Sequence, residues 1–323
     1  MVRTALMILA LVVGTAAAQA CAEARLPGDQ GAMPMEALRR EPITLELDVP
    51  YAATGNPRQR LDLYLPKKPA SDRLPVIVFF HGGGWRWGDK RDGAGQLLPF
   101  VRGGAYAGVS AGYRLSAEVR WPAQIHDAKA AIRWVRAQAD RYGFDPGRIA
   151  VFGRSAGAHL ALMLGLSGAV PELEGDLGPH AGTSSRVCAA VNFFGITDML
   201  AMIGQPGDID RARPDAPEAL LIGGALPDNT VRALAASPIR YVSSDDPPVL
   251  TLHGTADRIV PYDQAVRLDK ALSDAGVPSF LITVAGAGHG GFPDGAFERV
   301  NDFFSRFLHD EDIRIPTETL HAP

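Results

Sequence analysis

The sequence predicts an α/β fold in which a mostly parallel, open sheet carries helices on both faces. Three observations lead there. Six short runs are continuously apolar rather than alternating, as strands buried on both faces are. Segments with helical spacing separate them, which is the order that parallel strands joined by crossover helices require. One run, Arg148 to Phe152, ends in Gly153-Arg154-Ser155-Ala156-Gly157 and passes straight into a helical stretch.

The chain has 323 residues, 46% hydrophobic and 21% charged, with a formal net charge of -4. That balance suits a globular core, and without any Lys/Arg run it argues against a nucleic-acid partner. Residues 1–20 read as an export leader. Arg3 supplies a positive start, Ala5 to Val13 a short apolar stretch, and Ala18-Gln19-Ala20 a small-x-small cleavage site. The apolar stretch is shorter than the roughly 20 residues of a membrane span, and no other segment is a candidate for one. The expectation is therefore export, periplasmic or secreted. Cys21 follows the cleavage site and has two readings, a lipid anchor or an ordinary free cysteine. Cys188, in the run Val187 to Phe194, reads as a small buried hydrophobe, and two cysteines so far apart give no disulfide framework.

Residues 21–42, rich in Pro, Gly and charge, are expected to form a tether, 43–310 the single catalytic domain, and 311–323 a C-terminal tail. Ile43 to Tyr51 and Arg60 to Leu65 flank Thr54-Gly55-Asn56-Pro57, and the second alternates, so they predict an antiparallel pair at a sheet edge. The buried strands follow: Pro75 to Phe80, Ala105 to Ala111, Arg148 to Phe152, Val187 to Phe194, Pro248 to Leu252 and Ser279 to Val284. Ile125, Ala128, Ile132, Val135, Ala139 and Tyr142 fall on one helical stripe, with Arg133, Arg136 and Asp140 expected to face away. That helix should stop before Gly143, and Asp145-Pro146-Gly147 should turn into the next strand. Further helices are expected over Ala156 to Leu166, Tyr262 to Ala275 and Asp294 to Leu308. The stretch from Met199 to Tyr241 is too long for a simple crossover, and predicts small helices overhanging the carboxyl edge of the sheet.

The chemistry centres on Ser155. A strand that turns into a helix through Gly-x-Ser-x-Gly holds its serine on a tight elbow, with glycines where neighbouring backbone passes close. His81-Gly82-Gly83-Gly84-Trp85 follows the strand Pro75 to Phe80. Three glycines there leave bare N–H groups, and those of Gly83 and Gly84 with that of Ala156 suit an oxyanion hole. His81 is expected to brace the loop. A serine nucleophile also needs a base and an acid that orients it. Of 8 histidines, His289 alone lies in a glycine-rich loop between a late strand and the last helix, which makes it the base. His159, one turn after Ser155, fits packing better. Asp257, just past the strand Pro248 to Leu252, is the acid, and Asp263 is its rival, better suited to a first helical turn. Trp85, Trp87 and Trp121 are candidates for an aromatic floor under a sugar or aryl group, or for core packing beneath the oxyanion loop.

Together with Gly88-Asp89-Lys90, Gly112-Tyr113-Arg114-Leu115, Trp121-Pro122-Ala123-Gln124 and Phe194-Gly195-Ile196-Thr197-Asp198, these motifs resemble the α/β-hydrolase esterases that carry HGGG. They are similar to the hormone-sensitive-lipase-like carboxylesterases and closer to the BD-FAE acetyl- and feruloyl-esterase-like branch. The resemblance spans about residues 43–308 and departs at Arg154, where lipase-like members have a smaller or acidic residue. It implies an α/β-hydrolase fold and catalysis without metal or organic cofactor, and no His/Cys/Asp ligand cluster stands in the sequence. It implies a serine carboxylesterase acting on short-chain or carbohydrate-linked (acetyl or feruloyl) esters, small-molecule or oligosaccharide, through an acyl-enzyme. The alternatives are an arylformamidase-type amidase and, from another class, a binding module that has lost catalysis.

Overall fold

Among the described residues, nine strands, numbered along the chain, form one sheet in the order β1-β2-β4-β3-β5-β6-β7-β8-β9. The computed structural model describes residues 33–323; the expected leader and Cys21 lie outside them. β1 (Ile43–Pro50), β2 (Arg60–Pro66) and β4 (Ala107–Ala111) pair antiparallel, β1 with β2 and β2 with β4. All other neighbours run parallel: β3 (Leu74–Phe80), β5 (Phe144–Arg154), β6 (Ala189–Phe193), β7 (Val249–Gly254), β8 (Ser279–Ala285) and β9 (Leu320–His321). The expected architecture, helices on both faces of a mostly parallel sheet, is therefore what the chain adopts.

Continuous apolar runs are needed because each central strand feeds two cores. Successive side chains of β3 point to opposite faces. Val76, Val78 and Phe80 join the core beneath α3 (Ala123–Ala137) and α5 (Ala156–Leu166), packing with Ile132 and Leu160. Ile77 and Phe79 join the other, with Leu97 of α2 (Ala94–Val101) and Phe303 and Phe304 of α9 (Asp294–Leu308). Of the six runs expected to be buried on both faces, Ser279 to Val284 departs: β8 is half-buried.

Several local expectations change. The stripe on α3 is buried as expected, but the helix breaks at Gln138 and resumes as a single turn, α4 (Ala139–Tyr142), closed by Gly143 in the left-handed region with φ 67°. Arg133 does not face away; it is buried beside the equally buried Lys129. Two cations withdrawn from water need partners, since an unpaired buried charge costs several kcal/mol. Glu174 supplies them: it pairs with Lys129 Nζ, while Arg133 Nη1 donates to its carbonyl at 2.8 Å and Arg133 Nη2 to that of Leu177 at 3.0 Å. The periodicity placed Arg133 off the apolar stripe, and the loop that covers it comes from 41 residues on. The Asp145-Pro146-Gly147 turn lies inside β5, as an irregularity between the pairs Leu74↔Phe144 and Val76↔Ile149. Cys188 is half-buried, donates its thiol to the Ile149 carbonyl at 3.3 Å, and burial pushes its pKa up to about 11.

The described part of the first expected flanking segment, residues 33–42, and the whole of the second contribute to the packed structure. Within 21–42, Met35–Arg40 forms α1, whose Leu38 is buried against the core with Ile43. Residues 311–323 are not a loose tail: Ile315 is buried and β9 adds a parallel strand, Val284↔Leu320 and Ala285↔His321. Composition missed both because one buried side chain in a polar segment is enough to dock it. Ile315→Ala should cost about 2–4 kcal/mol by loss of buried methyl groups, whereas Val231→Ala, at a position 79% exposed, should change stability by less than about 0.5 kcal/mol. Urea unfolding of both variants checks the pair, and equal small effects would mean that the C-terminal segment carries no core.

Candidate active site

β3 and β5 lie side by side with Phe80 opposite Gly153, so the loops leaving their carboxyl ends begin at the same level. Ser155 leaves β5 with φ 54° and ψ -119°, a strained conformation for a residue with a Cβ, and starts α5 at the next residue. It is held on both sides: its N–H donates to the Phe193 carbonyl at 2.9 Å and its carbonyl accepts from His159 N–H at 3.0 Å. The glycines are obligatory. A Cβ on Gly157 would run into the carbonyl of Phe80, and one on Gly153 into the backbone of Gly157. A Cβ on Gly82 would stand 3.0 Å from the Arg154 carbonyl and 3.6 Å from Ser155 Cβ, so the glycine loop lies directly against the elbow.

Gly83 and Gly84 have φ of 103° and 58°, a left-handed path that glycine adopts cheaply. Their N–H groups and that of Ala156 take no hydrogen-bond partner among the described residues. His81 braces this loop: its ring stacks on Tyr113 at 4.3 Å, Nδ1 donates to the Gly82 carbonyl at 2.8 Å, and Tyr113 Oη donates to the His81 carbonyl at 2.8 Å.

His289 Nδ1 donates to Asp257 Oδ2 at 2.7 Å. Asp257 Oδ1 accepts from the N–H groups of Ile259 and Val260, each at 2.8 Å, which fixes the carboxylate. Burial pushes its pKa up, but hydrogen bonds and charge from His253 and His289 more than offset this and hold it well below the carboxylate range. His253 Nε2 lies 3.3 Å from Asp257 Oδ2 and 2.9 Å from the Val260 carbonyl. Burial pulls the His289 imidazole below its ordinary value, against the opposing pull of Asp257, with Arg154 and His253 lowering it further. Asp263, the rival acid, is engaged elsewhere, by Arg267 and by Gln205 at 2.8 Å. His159 is buried, donates to the Ala236 carbonyl at 2.7 Å, and is pulled down by burial to about 4.

A cavity of about 540 Å³ opens here, with Ser155, His289, Gly83 and Gly84 in its lining. Asp257 and Ala156 stand behind that surface, the first reaching the cavity through His289. Trp87, 40% exposed, lines the cavity and carries the Arg86 guanidinium 4.9 Å above its ring. Trp85 lines it too, yet its side chain is fully buried, edge-on to His159 at 5.0 Å. Trp121 is not in the lining; it packs on the core, its ring 5.4 Å from His159. The opposite wall is the overhang, where α6 (Pro217–Ile222) and α7 (Thr230–Ala235) sit among short 3-10 turns. Asp208, Asp210, Arg213 and Asp215 face the cavity from it, so that wall is polar. Sequence reasoning gave no role to Phe194, whose ring lies 4.4 Å from that of His289 and 5.5 Å from the Arg154 guanidinium, or to His253 beside the acid. His253 at four residues before Asp257 was a signal in hindsight; Phe194, one apolar residue among many, offered none. Among the described residues no three His, Cys, Asp or Glu side chains gather as a metal ion would require.

The BD-FAE family model matches residues 61–272. Esterase LipC of Mycobacterium tuberculosis is 33% identical over 239 residues, 73% of this chain and 57% of that protein. The chain spans about half the length of the curated relatives it matches first. Among solved structures, a truncated carbohydrate esterase from gut microbiota superposes with a TM-score of 0.76 at 33% identity, covering 84% of this chain and 98% of that one. Thermogutta terrifontis esterase 2, phosphorylated by paraoxon, superposes with a TM-score of 0.64 at 29% identity, covering 83% and 95%.

The elbow generates a stability test that needs no substrate. Gly157→Ala forces a Cβ into backbone and should cost about 3 kcal/mol or more, while Gly103→Ala, with no atom within 4 Å of the added Cβ, should be close to neutral. Thermal unfolding of the two purified variants decides it; a Gly157→Ala protein as stable as the parent would contradict the close approach of β3 and α5.

Proposed function

The chain belongs to the BD-FAE family of α/β-hydrolases, and from that premise we propose that it is a serine carboxylesterase cleaving either short-chain esters or carbohydrate-linked acetyl or feruloyl esters. The observation that carries this is the hydrogen bond from His289 Nδ1 to a fixed Asp257, with Ser155 and His289 lining one cavity beside unpaired N–H groups. Asp257 holds the imidazole with Nε2 directed away from the carboxylate, as a neutral base must be. His289 takes the Ser155 proton as the hydroxyl attacks the ester carbonyl. The N–H groups of Gly83, Gly84 and Ala156 receive the negative charge that develops on its oxygen. Collapse expels the alcohol, protonated by His289, and leaves Ser155 acylated; water then repeats the cycle. The superposition on a carbohydrate esterase supports the sugar-linked substrate class. The N-terminal leader pattern, with Cys21 behind it, supports export.

Two expected outcomes follow from these roles. Ser155→Ala should lose turnover by about 10⁴-fold or more and should no longer be labelled by a fluorophosphonate. Because protonation of His289 abolishes the base, kcat/KM should fall on the acid side with an apparent pKa below 6.5, the direction in which burial moves it. An acid limb centred above 7, or labelling of the Ser155→Ala protein, would remove this assignment. The polar wall sets the acyl range. An apolar pocket gains about 0.8 kcal/mol per buried CH₂ until it is full, and carboxylates at Asp208, Asp210 and Asp215 offer no such surface. Across p-nitrophenyl esters kcat/KM should peak between acetyl and butyryl; a maximum at octanoyl would exclude the short-ester proposal.

A further inference from the structure

The loop that carries Asp257 is held differently along its two halves. Its first half is zipped to the base loop through backbone. Thr255 N–H donates to the Val284 carbonyl at 3.0 Å, Ala256 N–H to that of Ala287 at 2.9 Å, and Gly286 N–H to Thr255 Oγ1 at 3.0 Å. A Cβ on Gly254 would run into the carbonyls of Ala287 and Gly288, so the two loops touch there. The second half, Arg258 to Val260, is reached from the overhang by Asp208 N–H on the Arg258 carbonyl at 2.8 Å and by Arg211 Nη2 on that of Ile259. From the sheet it is reached by one side chain, His253.

His253 stands near the carboxyl end of β7 and is fully buried. Its Nε2 donates to the Val260 carbonyl, seven residues on, at 2.9 Å, and stands 3.3 Å from Asp257 Oδ2. Both atoms facing Nε2 are acceptors, while Nδ1 is buried without a partner among the described residues. The ring proton is therefore on Nε2. Val260 takes this strut through its carbonyl and, through its own N–H, holds Asp257 Oδ1 at 2.8 Å. The positive end of the same Nε2–H faces Oδ2, the oxygen to which His289 Nδ1 donates at 2.7 Å. His253 thus meets the carboxylate twice, once through Val260 on Oδ1 and once across space on Oδ2. Tyr262 keeps the ring from turning, edge-on at 5.8 Å, with its own hydroxyl bonded to Thr283 Oγ1 at 2.6 Å.

We propose that His253 is the positioning residue of the catalytic acid: by bracing Val260 it holds the loop closed around Asp257 and keeps Oδ2 aimed at His289 Nδ1. His253 is absent from the lining of the cavity, so it touches no substrate and acts on turnover through Asp257 alone. This rests on the esterase proposal and adds to it a residue outside the triad on which the acid depends.

The test is a double-mutant cycle on p-nitrophenyl acetate turnover, with cooperative thermal unfolding checked for each protein. His253→Leu removes the donor at similar volume, and kcat should fall about 30-fold or more, as expected when a reacting group is misplaced. KM should stay within about threefold, because no group that binds ester uniformly has been removed. His253→Gln, whose amide can reach the Val260 carbonyl, should remain within about fivefold of the parent in kcat, since the bond is kept. In an Asp257→Asn background, His253→Leu should cost less than about threefold further, because two residues that act as one unit are not additive. Should His253→Leu fail to unfold cooperatively, His253→Asn replaces it, a polar side chain too short for that carbonyl. Equal losses with and without the Asp257 carboxylate would mean a general effect on the fold and overturn the proposal. So would a Leu variant as active as the parent, or a Gln variant as impaired as Leu. A parent protein inert towards p-nitrophenyl acetate overturns the esterase proposal and takes this role with it.

Discussion

The close approach of the carboxyl ends of β3 and β5 is the constraint on which the site depends. Pairing Phe80 with Gly153 brings the glycine loop and the serine elbow to the same level. Gly157 then has to pass against the carbonyls of Phe80 and His81, where only hydrogen fits. Because the two loops touch through backbone, the N–H groups of Gly83, Gly84 and Ala156 are placed by the sheet register and by no flexible side chain. The strained φ of Ser155 is sustained by the same packing, through Phe193 on one side and His159 on the other.

Electrostatics are arranged around a carboxylate that could not exist alone. Burial disfavours a charged Asp257, and three donors answer it, two backbone N–H groups and the ring of His289, with His253 Nε2 also 3.3 Å from its Oδ2. The acid is thereby kept ionised while His289 is kept neutral, opposite settings that come from one shared environment. The same economy governs the periphery, where Glu174 joins Lys129 and Arg133, and Arg211 joins Glu218 to the acid loop. Buried charge in this fold serves to hold loops of distant sequence at fixed places.

Legibility followed the range of the interactions. The central strands β3, β4, β6 and β7 were readable from their apolar runs, because burial on two faces is imposed residue by residue. Ser155, Asp257 and His289 were readable because each stands at a strand end in a glycine-marked turn, and His289 Nδ1 does donate to Asp257. Arg133 was misjudged because helical periodicity says which side a residue faces and nothing about what arrives to cover that side. Residues 311–323 read as a tail in the sequence because a two-residue strand, Leu320–His321, leaves no periodic trace.

Local pattern was enough to locate the central buried strands, the elbow, the glycine loop and the candidate base and acid, since these depend on short-range spacing and on backbone that tolerates no Cβ. Which polar groups meet was settled by packing in three dimensions. It put His253 beside Asp257, Phe194 against His289, Trp85 inside the core and Trp87 at the cavity mouth. It also pinned the overhang to the acid loop, through Arg211 and the Ile259 carbonyl. Local propensities act within a few residues, whereas the bonds that assemble this structure also join distant positions, 32 residues apart for His289 and Asp257, 45 for Lys129 and Glu174 and 48 for Arg211 and Ile259, which no spacing in the chain encodes.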